Sequence, residues 1–273
     1  MQPQVVLTIA GSDSGGGAGI EADLRTFAAL GVHGAVALTA VTAQNTTSVT
    51  AVCALEAEMV VAQVTAVTDD LTLAAVKTGM LARPHTVEAV AQLAARGLLP
   101  NLVVDPVLVS SSGHPLMEAG GTSAYREALL PYALVATPNL REAAVLGGVD
   151  VRDLSSLEAI EAVGREILAL GPTYVVIKGG HFQENAVTDE RAPDILLSTD
   201  ARVILDGPRI ATANDHGTGC SLAAATASFL ARGFSVTDAV TAAKDFVARA
   251  LAGAADWTLG AGHGPIDHMG WNA

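Results

Sequence analysis

Two cysteines, Cys53 and Cys220, are all that the sequence contains, and they stand far apart. That excludes a disulfide framework and a metal site built on paired thiols, and it suits a reducing compartment. Lysine is scarce as well: Lys77, Lys178 and Lys244 are the only three, against twelve arginines. The 15 basic residues are outnumbered by 28 acidic ones, and the net charge of −13 argues against nucleic acid or an anionic membrane as the main partner. It leaves a phosphate-bearing substrate open, because local N–H groups and a metal outweigh the global field at short range. No basic region followed by an apolar run opens the chain, so no signal peptide is expected. Residues 26–55 hold no Lys, Arg, Asp or Glu, but Thr, Gln and Asn are scattered through them and Gly31 and Gly34 interrupt them. They read as a buried strand with flanking loops, not as a membrane span. The histidines lack metal-ligand spacing, and no Ser-His-Asp set follows from the order of residues. No repeat, low-complexity tract or Pro/Ser-rich linker divides the chain, so a single domain over residues 1–273 is expected, in a soluble cytoplasmic protein.

Apolar sequence is what the chain has in quantity, at 50% of residues, enough for a sizeable core. Short apolar runs at 5–10, 35–43, 74–78, 102–107, 133–136 and 174–177 read as strands that are apolar on both faces. Longer amphipathic runs at 18–30, 56–71, 84–96, 123–130, 140–146, 157–170, 219–231 and 236–255 read as helices, and Gly31, Gly97, Gly171 and Gly233 follow four of them as C-terminal caps should. Residues 195–198 and 202–206 suggest an antiparallel hairpin at the far edge. The alternation predicts an α/β fold with a mostly parallel sheet and helices on both faces.

Polar and glycine-rich clusters follow the strand ends, where an open parallel sheet binds its ligands. The most informative is Asn214-Asp-His-Gly-Thr-Gly-Cys220, directly ahead of an alanine-rich helical run. Its glycines uncover backbone N–H groups at a helix N-terminus, an anion-binding arrangement, and Cys220 falls on the first turn, where the helix dipole lowers a thiol pKa. Cys220 is therefore expected to be partly ionised near neutral pH and to alkylate before Cys53. The competing reading is a turn that lets a helix pack closely over a buried cysteine. The glycine-rich stretch from Gly11 to Gly19 fits neither a Walker A loop nor a dinucleotide fingerprint, and Asp13 within it either meets a ligand or caps the next helix. Asp105 and Glu142 are placed to share a hydrated Mg²⁺, although an acid such as Glu142 is also favourable at any helix N-terminus. Lys178, after Val-Val-Ile and before Gly-Gly, reads as a point charge near phosphates. Lys77 at the same edge is either that or an ion-pair partner. His216 either touches a ligand or braces its loop, and Gln44 either reads a ligand or ties down its own turn.

These residues resemble the hydroxymethylpyrimidine/phosphomethylpyrimidine kinases, the thiamine-pathway branch of the ribokinase-like superfamily. The resemblance runs from about Val5 to His268 and rests on Thr8-Ile-Ala-Gly-Ser-Asp-Ser-Gly-Gly-Gly-Ala-Gly-Ile, Ala43-Gln-Asn-Thr, Lys77-Thr-Gly-Met-Leu, Val104-Asp-Pro-Val, Thr137-Pro-Asn-Leu-Arg-Glu, Lys178-Gly-Gly-His, His216-Gly-Thr-Gly-Cys and Gly262-His-Gly-Pro-Ile-Asp-His. It implies a three-layer αβα fold and ATP- and Mg²⁺-dependent phosphorylation of 4-amino-5-hydroxymethyl-2-methylpyrimidine and then of its monophosphate. It further implies that Gln44 reads the aminopyrimidine, while Gly11, Asp13, Ala18, Met80 and Val107 line its pocket. Asp105 and Glu142 would serve Mg²⁺, and Lys178, Thr212 and His216 would lie near ATP. Gly217, Thr218, Gly219 and Cys220 would form the anion hole, with Cys220 taking the hydroxyl proton. In the superfamily's sugar kinases an aspartate stands at the place of Cys220, so cysteine favours a heteroaromatic alcohol. A homodimer is the family's habit, and a monovalent cation is left open. Ser111-Ser-Gly-His114 departs from the family's pattern, and residues 184–191 carry no interpretable motif. The alternatives are a pyridoxal kinase of the same fold, a hydroxyethylthiazole kinase, which lacks this Gln44 context, and a non-catalytic pyrimidine-binding protein.

Overall fold

Adjacent residues of a strand point to opposite faces of its sheet, and this chain fills both faces with apolar side chains. A computed structural model describes residues 2–109, 115–179 and 191–272. In chain order the first half holds β1 (Val5–Ala10), α1 (Gly19–Ala29), β2 (His33–Leu38), β3 (Ala40–Gln44), β4 (Val49–Ala54), α2 (Ala57–Thr68), β5 (Leu73–Thr78), α3 (Pro84–Ala95) and β6 (Leu102–Val104). The second half holds α4 (Gly121–Ala124), β7 (Val135–Ala136), α5 (Leu140–Gly147), α6 (Leu157–Leu168), β8 (Tyr174–Ile177), β9 (Asp194–Leu197), β10 (Arg202–Leu205), α7 (Thr218–Ala231) and α8 (Val236–Gly253).

Eight strands make one sheet in the order β10-β9-β8-β7-β6-β5-β1-β2. The six from β2 to β8 in that row are parallel, and β9 and β10 add an antiparallel edge, the expected hairpin. Val6, Ala75, Val103, Val135, Val176 and Leu196 face a layer built from α1, α7 and α8. Their neighbours Leu7, Val76, Val104, Ala136, Ile177 and Leu197 face α2, α3, α5 and α6. The three-layer αβα expectation holds. Chain order reverses between β1, which leads to β2 on one side, and β5 on the other. That reversal opens a crevice beyond the strand ends.

Three expectations are corrected. Residues 35–43 do not form one buried strand: the chain leaves the main sheet after Leu38, and β3 pairs with β4 in a separate antiparallel hairpin. Its alternating burial, with Val41 and Val52 exposed, explains why the uncharged stretch 26–55 resembled core. Residues 123–130 are not a regular helix: α4 passes into a π turn over Tyr125–Leu129 and then a tight turn over Leu130–Tyr132. Pro131 has no N–H to continue the ladder. The strand expected over 102–107 stops at Val104, because Pro106 removes the next donor. The stretches 111–114 and 184–190, and His181, lie outside the described residues.

A charged pair sits inside this apolar frame. Lys77 and Asp23 are both fully buried, with Lys77 Nζ 3.0 and 2.8 Å from the two carboxylate oxygens. The Thr8 hydroxyl donates to the same carboxylate at 2.6 Å. Burial works against the ammonium, but Asp23 outweighs it and holds Lys77 above the usual lysine range. Of the two readings of Lys77, the ion-pair partner is the one observed; Asp23 carried no sequence signal.

Removing one partner strands the other charge. Asp23→Ala is expected to lose about 3–5 kcal/mol in urea unfolding. The double replacement Asp23→Leu with Lys77→Met is expected to recover most of that loss, because no buried charge remains.

Candidate active site

The crevice collects the loops after β1, β5, β6, β7 and β8, and α7 enters it N-terminus first. Gly217 is the N-cap of α7 at φ +85°, a conformation that suits glycine, and a Cβ there would collide with the Gly17 carbonyl. No side chain caps this helix. The Thr218 N–H reaches Asp215 O at 3.3 Å and the Ser221 N–H reaches Gly217 O at 2.9 Å, which leaves those of Gly219 and Cys220 for an anion. A Cβ on Gly219 would lie only 3.1 Å from Lys178 Nζ, so the turn and the ammonium are side by side. Positive charge and uncapped donors meet at one point.

Lys178 Nζ in turn lies 2.8 Å from Asp105 Oδ1 and 4.0 Å from Glu142 Oε2. Burial opposes its charge, but the two acids hold it above the ordinary lysine range. Glu142 forms a capping box with Asn139: its Oε2 accepts the Asn139 N–H at 2.8 Å, and Asn139 Oδ1 accepts the Glu142 N–H at 2.9 Å. Burial pushes Glu142 up to about 7, with Lys178 opposing and Asp105 adding to the rise. Among the described residues no three His, Cys, Asp or Glu side chains gather into a metal cage. Two buried carboxylates converging on one cation fit a different arrangement, a hydrated Mg²⁺ completed by phosphate oxygens and water.

Cys220 is half-buried on the first turn of α7, with the Gly19 N–H at the start of α1 near it. The expected lowering of its pKa is corrected. Burial pushes the thiol up to about 11; Lys77 pulls the other way, Asp23 and Asp105 add to the rise, and the Gly19 N–H offsets only part of it. Loss of water and two buried acids outweigh Lys77 and the Gly19 N–H.

The remaining expected residues lie around the β1 loop and the β3–β4 hairpin. Asp13 is spent inside the protein: Oδ1 accepts from Gly15 N–H at 2.8 Å, and Oδ2 from Gly17 and Ala18 N–H at 3.0 and 2.9 Å and from His216 Nε2 at 2.8 Å. Burial opposes its ionisation, yet His216 and these N–H groups hold it below the ordinary carboxylate range. It organises the loop without capping α1, whose N-cap is Ala18 with no side-chain cap, which corrects the expectation of a helix cap. His216 contacts Asp13 and Gln44 here. Thr212 also has bracing contacts: its hydroxyl accepts the Asn214 N–H at 3.0 Å and donates to Ala255 O at 3.3 Å. Met80 packs with Ala40, Ala82 and Val107, and a Cβ on Gly11 would lie 3.1 Å from Met80 Sδ, so these form one apolar wall. Ala18 abuts Gly217. Gln44 ends β3, with its N–H donating to Ser14 Oγ at 2.8 Å and Ser14 Oγ donating to Gln44 O at 2.7 Å.

Sequence reasoning did not foresee the strap formed by the closing motif. Gly264 O accepts the His216 N–H at 3.0 Å, Gly262 N–H reaches Thr46 Oγ at 3.2 Å, and His268 Nε2 lies 2.7 Å from Ser221 Oγ. Burial pushes His268 down to about 4, so it braces α7 as a neutral ring. The motif Gly262-His-Gly-Pro-Ile-Asp-His was its signal, but nothing in it pointed to Thr46 or Ser221.

Comparison with known proteins places this geometry among relatives. The profile of the family described as phosphomethylpyrimidine kinase matches residues 13–267. A hydroxymethylpyrimidine/phosphomethylpyrimidine kinase of Rhizobium meliloti is 47% identical over 97% of each chain. The structure of a pyridoxal kinase from Staphylococcus aureus in complex with AMP-PCP and pyridoxal superposes with a TM-score of 0.88 at 34% identity, covering 100% of this chain and 96% of that one. A phosphomethylpyrimidine kinase structure from Clostridium difficile gives 0.78 at 37% identity, covering 91% and 99%.

Alkylation tests the environment of Cys220. Exposed Cys53 is expected to react with iodoacetamide first, and the rate at Cys220 to rise about tenfold per pH unit up to about 11, read by peptide mapping.

Proposed function

The chain belongs to the hydroxymethylpyrimidine/phosphomethylpyrimidine kinases, and from that membership we propose how its residues move phosphoryl groups from ATP onto the pyrimidine in thiamine biosynthesis. The observation that carries the proposal is the uncapped turn at Gly217, Thr218, Gly219 and Cys220, set against the ammonium of Lys178. Phosphoryl transfer needs positioning and neutralisation of charge more than covalent help from the protein. The hydroxymethyl oxygen attacks the γ-phosphorus, the bond from that phosphorus to the bridging oxygen breaks, and ADP leaves. N–H groups of Gly219 and Cys220 meet the charge on the transferred group, and Lys178 adds a point charge beside them. Asp105 and Glu142 would hold a hydrated Mg²⁺, which supplies further neutralisation of the phosphates. The hydroxyl proton passes to the Cys220 sulfur. In a second turnover an oxygen of the monophosphate attacks a second ATP and yields the diphosphate.

Gln44 faces the pyrimidine ring, and Gly11, Met80 and Val107 give it an apolar wall. Asp13, Thr212 and His216 act by holding loops. The whole chain, residues 1–273, works as one cytoplasmic kinase domain that pairs as a homodimer. No described helix is long and apolar enough to cross a membrane. A second reading, phosphorylation of pyridoxal, is favoured by the likeness to the Staphylococcus aureus pyridoxal kinase.

An ADP-release assay with hydroxymethylpyrimidine, its monophosphate and pyridoxal side by side is expected to show turnover of both pyrimidines, with mono- and diphosphate seen by mass. Turnover of pyridoxal alone would install the second reading. Cys220→Ala is expected to lower kcat by about 10²–10⁴-fold, the usual range for a general base. Because burial keeps the resting thiol protonated, kcat of the unmodified enzyme rises with pH below about 11, and the alanine variant loses that rise.

A further inference from the structure

Lys77 is paired with Asp23, yet the pairing does not use the whole ammonium. An ammonium carries three N–H donors. Two go to the Asp23 oxygens at 3.0 and 2.8 Å, and the third has no acceptor among the described residues. Lys77 shares its face of β5 with Ala75, which packs in the layer of α1, α7 and α8. Gly79 leaves room for the charged end, since a Cβ there would lie 2.7 Å from Lys77 Nζ. Thr8, the partner of Lys77 in register on β1, ties down the Asp23 carboxylate at 2.6 Å. Four charged side chains bear on the Cys220 sulfur: Lys77 from β5, Asp23 from α1, Asp105 after β6 and Lys178 after β8. Lys178 is drawn off by Asp105 at 2.8 Å and Glu142 at 4.0 Å. Lys77 is the strongest of the pulls toward thiolate, and after Asp23 it is Cys220 whose charge weighs most on Lys77.

We propose that Lys77 is a positioning residue for the proton transfer: its ammonium, fixed by Asp23 and Thr8, steadies the negative charge on the Cys220 sulfur so that the sulfur can take the hydroxyl proton. The proposal rests on the reading of Cys220 as the proton acceptor. The sulfur first gives its own proton to water. It then takes the hydroxymethyl proton as the new oxygen–phosphorus bond forms, and ends as a thiol. Lys77 keeps all three of its protons throughout; its part is to set how much of the enzyme holds the sulfur as thiolate. Asp23 is needed for that part, because burial alone would strip the lysine of its charge. A buried ion pair beside the site is thereby given work that a pair of apolar side chains could not do.

The double replacement Asp23→Leu with Lys77→Met removes both charges and leaves no buried ion, so the fold is expected to survive it. Iodoacetamide reaction at Cys220 and steady-state kinetics of that variant test the proposal. At a fixed pH, alkylation of Cys220 is expected to slow by about tenfold, the low end for loss of a nearby opposite charge. The kcat for hydroxymethylpyrimidine is expected to fall by the same factor, with KM for ATP and for the pyrimidine nearly unchanged. A pair that only braces the fold leaves alkylation where it was, and that result overturns the proposal whatever happens to kcat. Slower alkylation with an unchanged kcat overturns the reading of Cys220 as proton acceptor, and the proposal with it; Cys220→Ala then turns over normally. Should the double variant fail to fold, the scarcity of lysine supplies another readout, because the ¹⁵Nζ spectrum holds only three signals. In the unmodified protein the Lys77 signal is expected to shift over the pH range in which Cys220 alkylation accelerates, and to stay still over that range in Cys220→Ala. A Lys77 signal that behaves alike in both overturns the proposal.

Discussion

Gly217 rests against the backbone of Gly17 and Ala18 with no room for a side chain, and the geometry of the site depends on that contact. It brings the start of α7 against the loop that leads into α1, so that two helix N-termini face one crevice. Cys220 on the first helix then lies close enough to Gly19 on the second for its N–H to favour the thiolate. Any larger residue at Gly217 would part the turn at the start of α7 from the loop that Asp13 organises. The strap of Gly262, Gly264 and His268 holds the same arrangement from outside, tying the turn to Thr46 on the hairpin and to Ser221 on α7.

Charge is managed in the crevice by pairing each scarce lysine with acids. Lys77 is closed off with Asp23 and Thr8, a finished unit that keeps its charge without meeting solvent. Lys178 is less fully enclosed and shares Asp105 and Glu142. These two lysines mark the difference between a fully enclosed cation and one that lies beside the turn at the start of α7. Desolvation is the common background: it pushes Glu142 up to about 7 and Cys220 up to about 11. A site that excludes water strengthens its contacts with phosphate, and it raises the cost of every unpaired ion within it.

Much of the fold was legible because both strand and helix patterns are local. Val6 and Leu7, or Val103 and Val104, announce by adjacency that a strand is covered on both faces. Gly31, Gly97, Gly171 and Gly233 closed their helices as expected, all at positive φ. The β3–β4 hairpin escaped because Val41, Ala43, Ala51 and Cys53 form an exposed small-residue face that composition cannot tell from core. The π turn at Tyr125 escaped because side-chain periodicity does not register one extra residue in a turn.

The sequence by itself determined the layered sheet, the edge on which the site lies, and the family, since each rests on residue types at fixed spacing. It also named most of the residues that meet there. Tertiary structure alone decided what each of them does once it arrives. Whether Asp13 meets a ligand or a loop depends on Gly15, Gly17, Ala18 and His216 together, the last of them 203 residues away along the chain. Whether Cys220 rests as thiol or thiolate depends on Lys77, Asp23 and Asp105 and on the water they displace. Hydrogen-bond ownership and desolvation are properties of a neighbourhood, and neighbourhoods are assembled from segments that sequence spacing keeps apart.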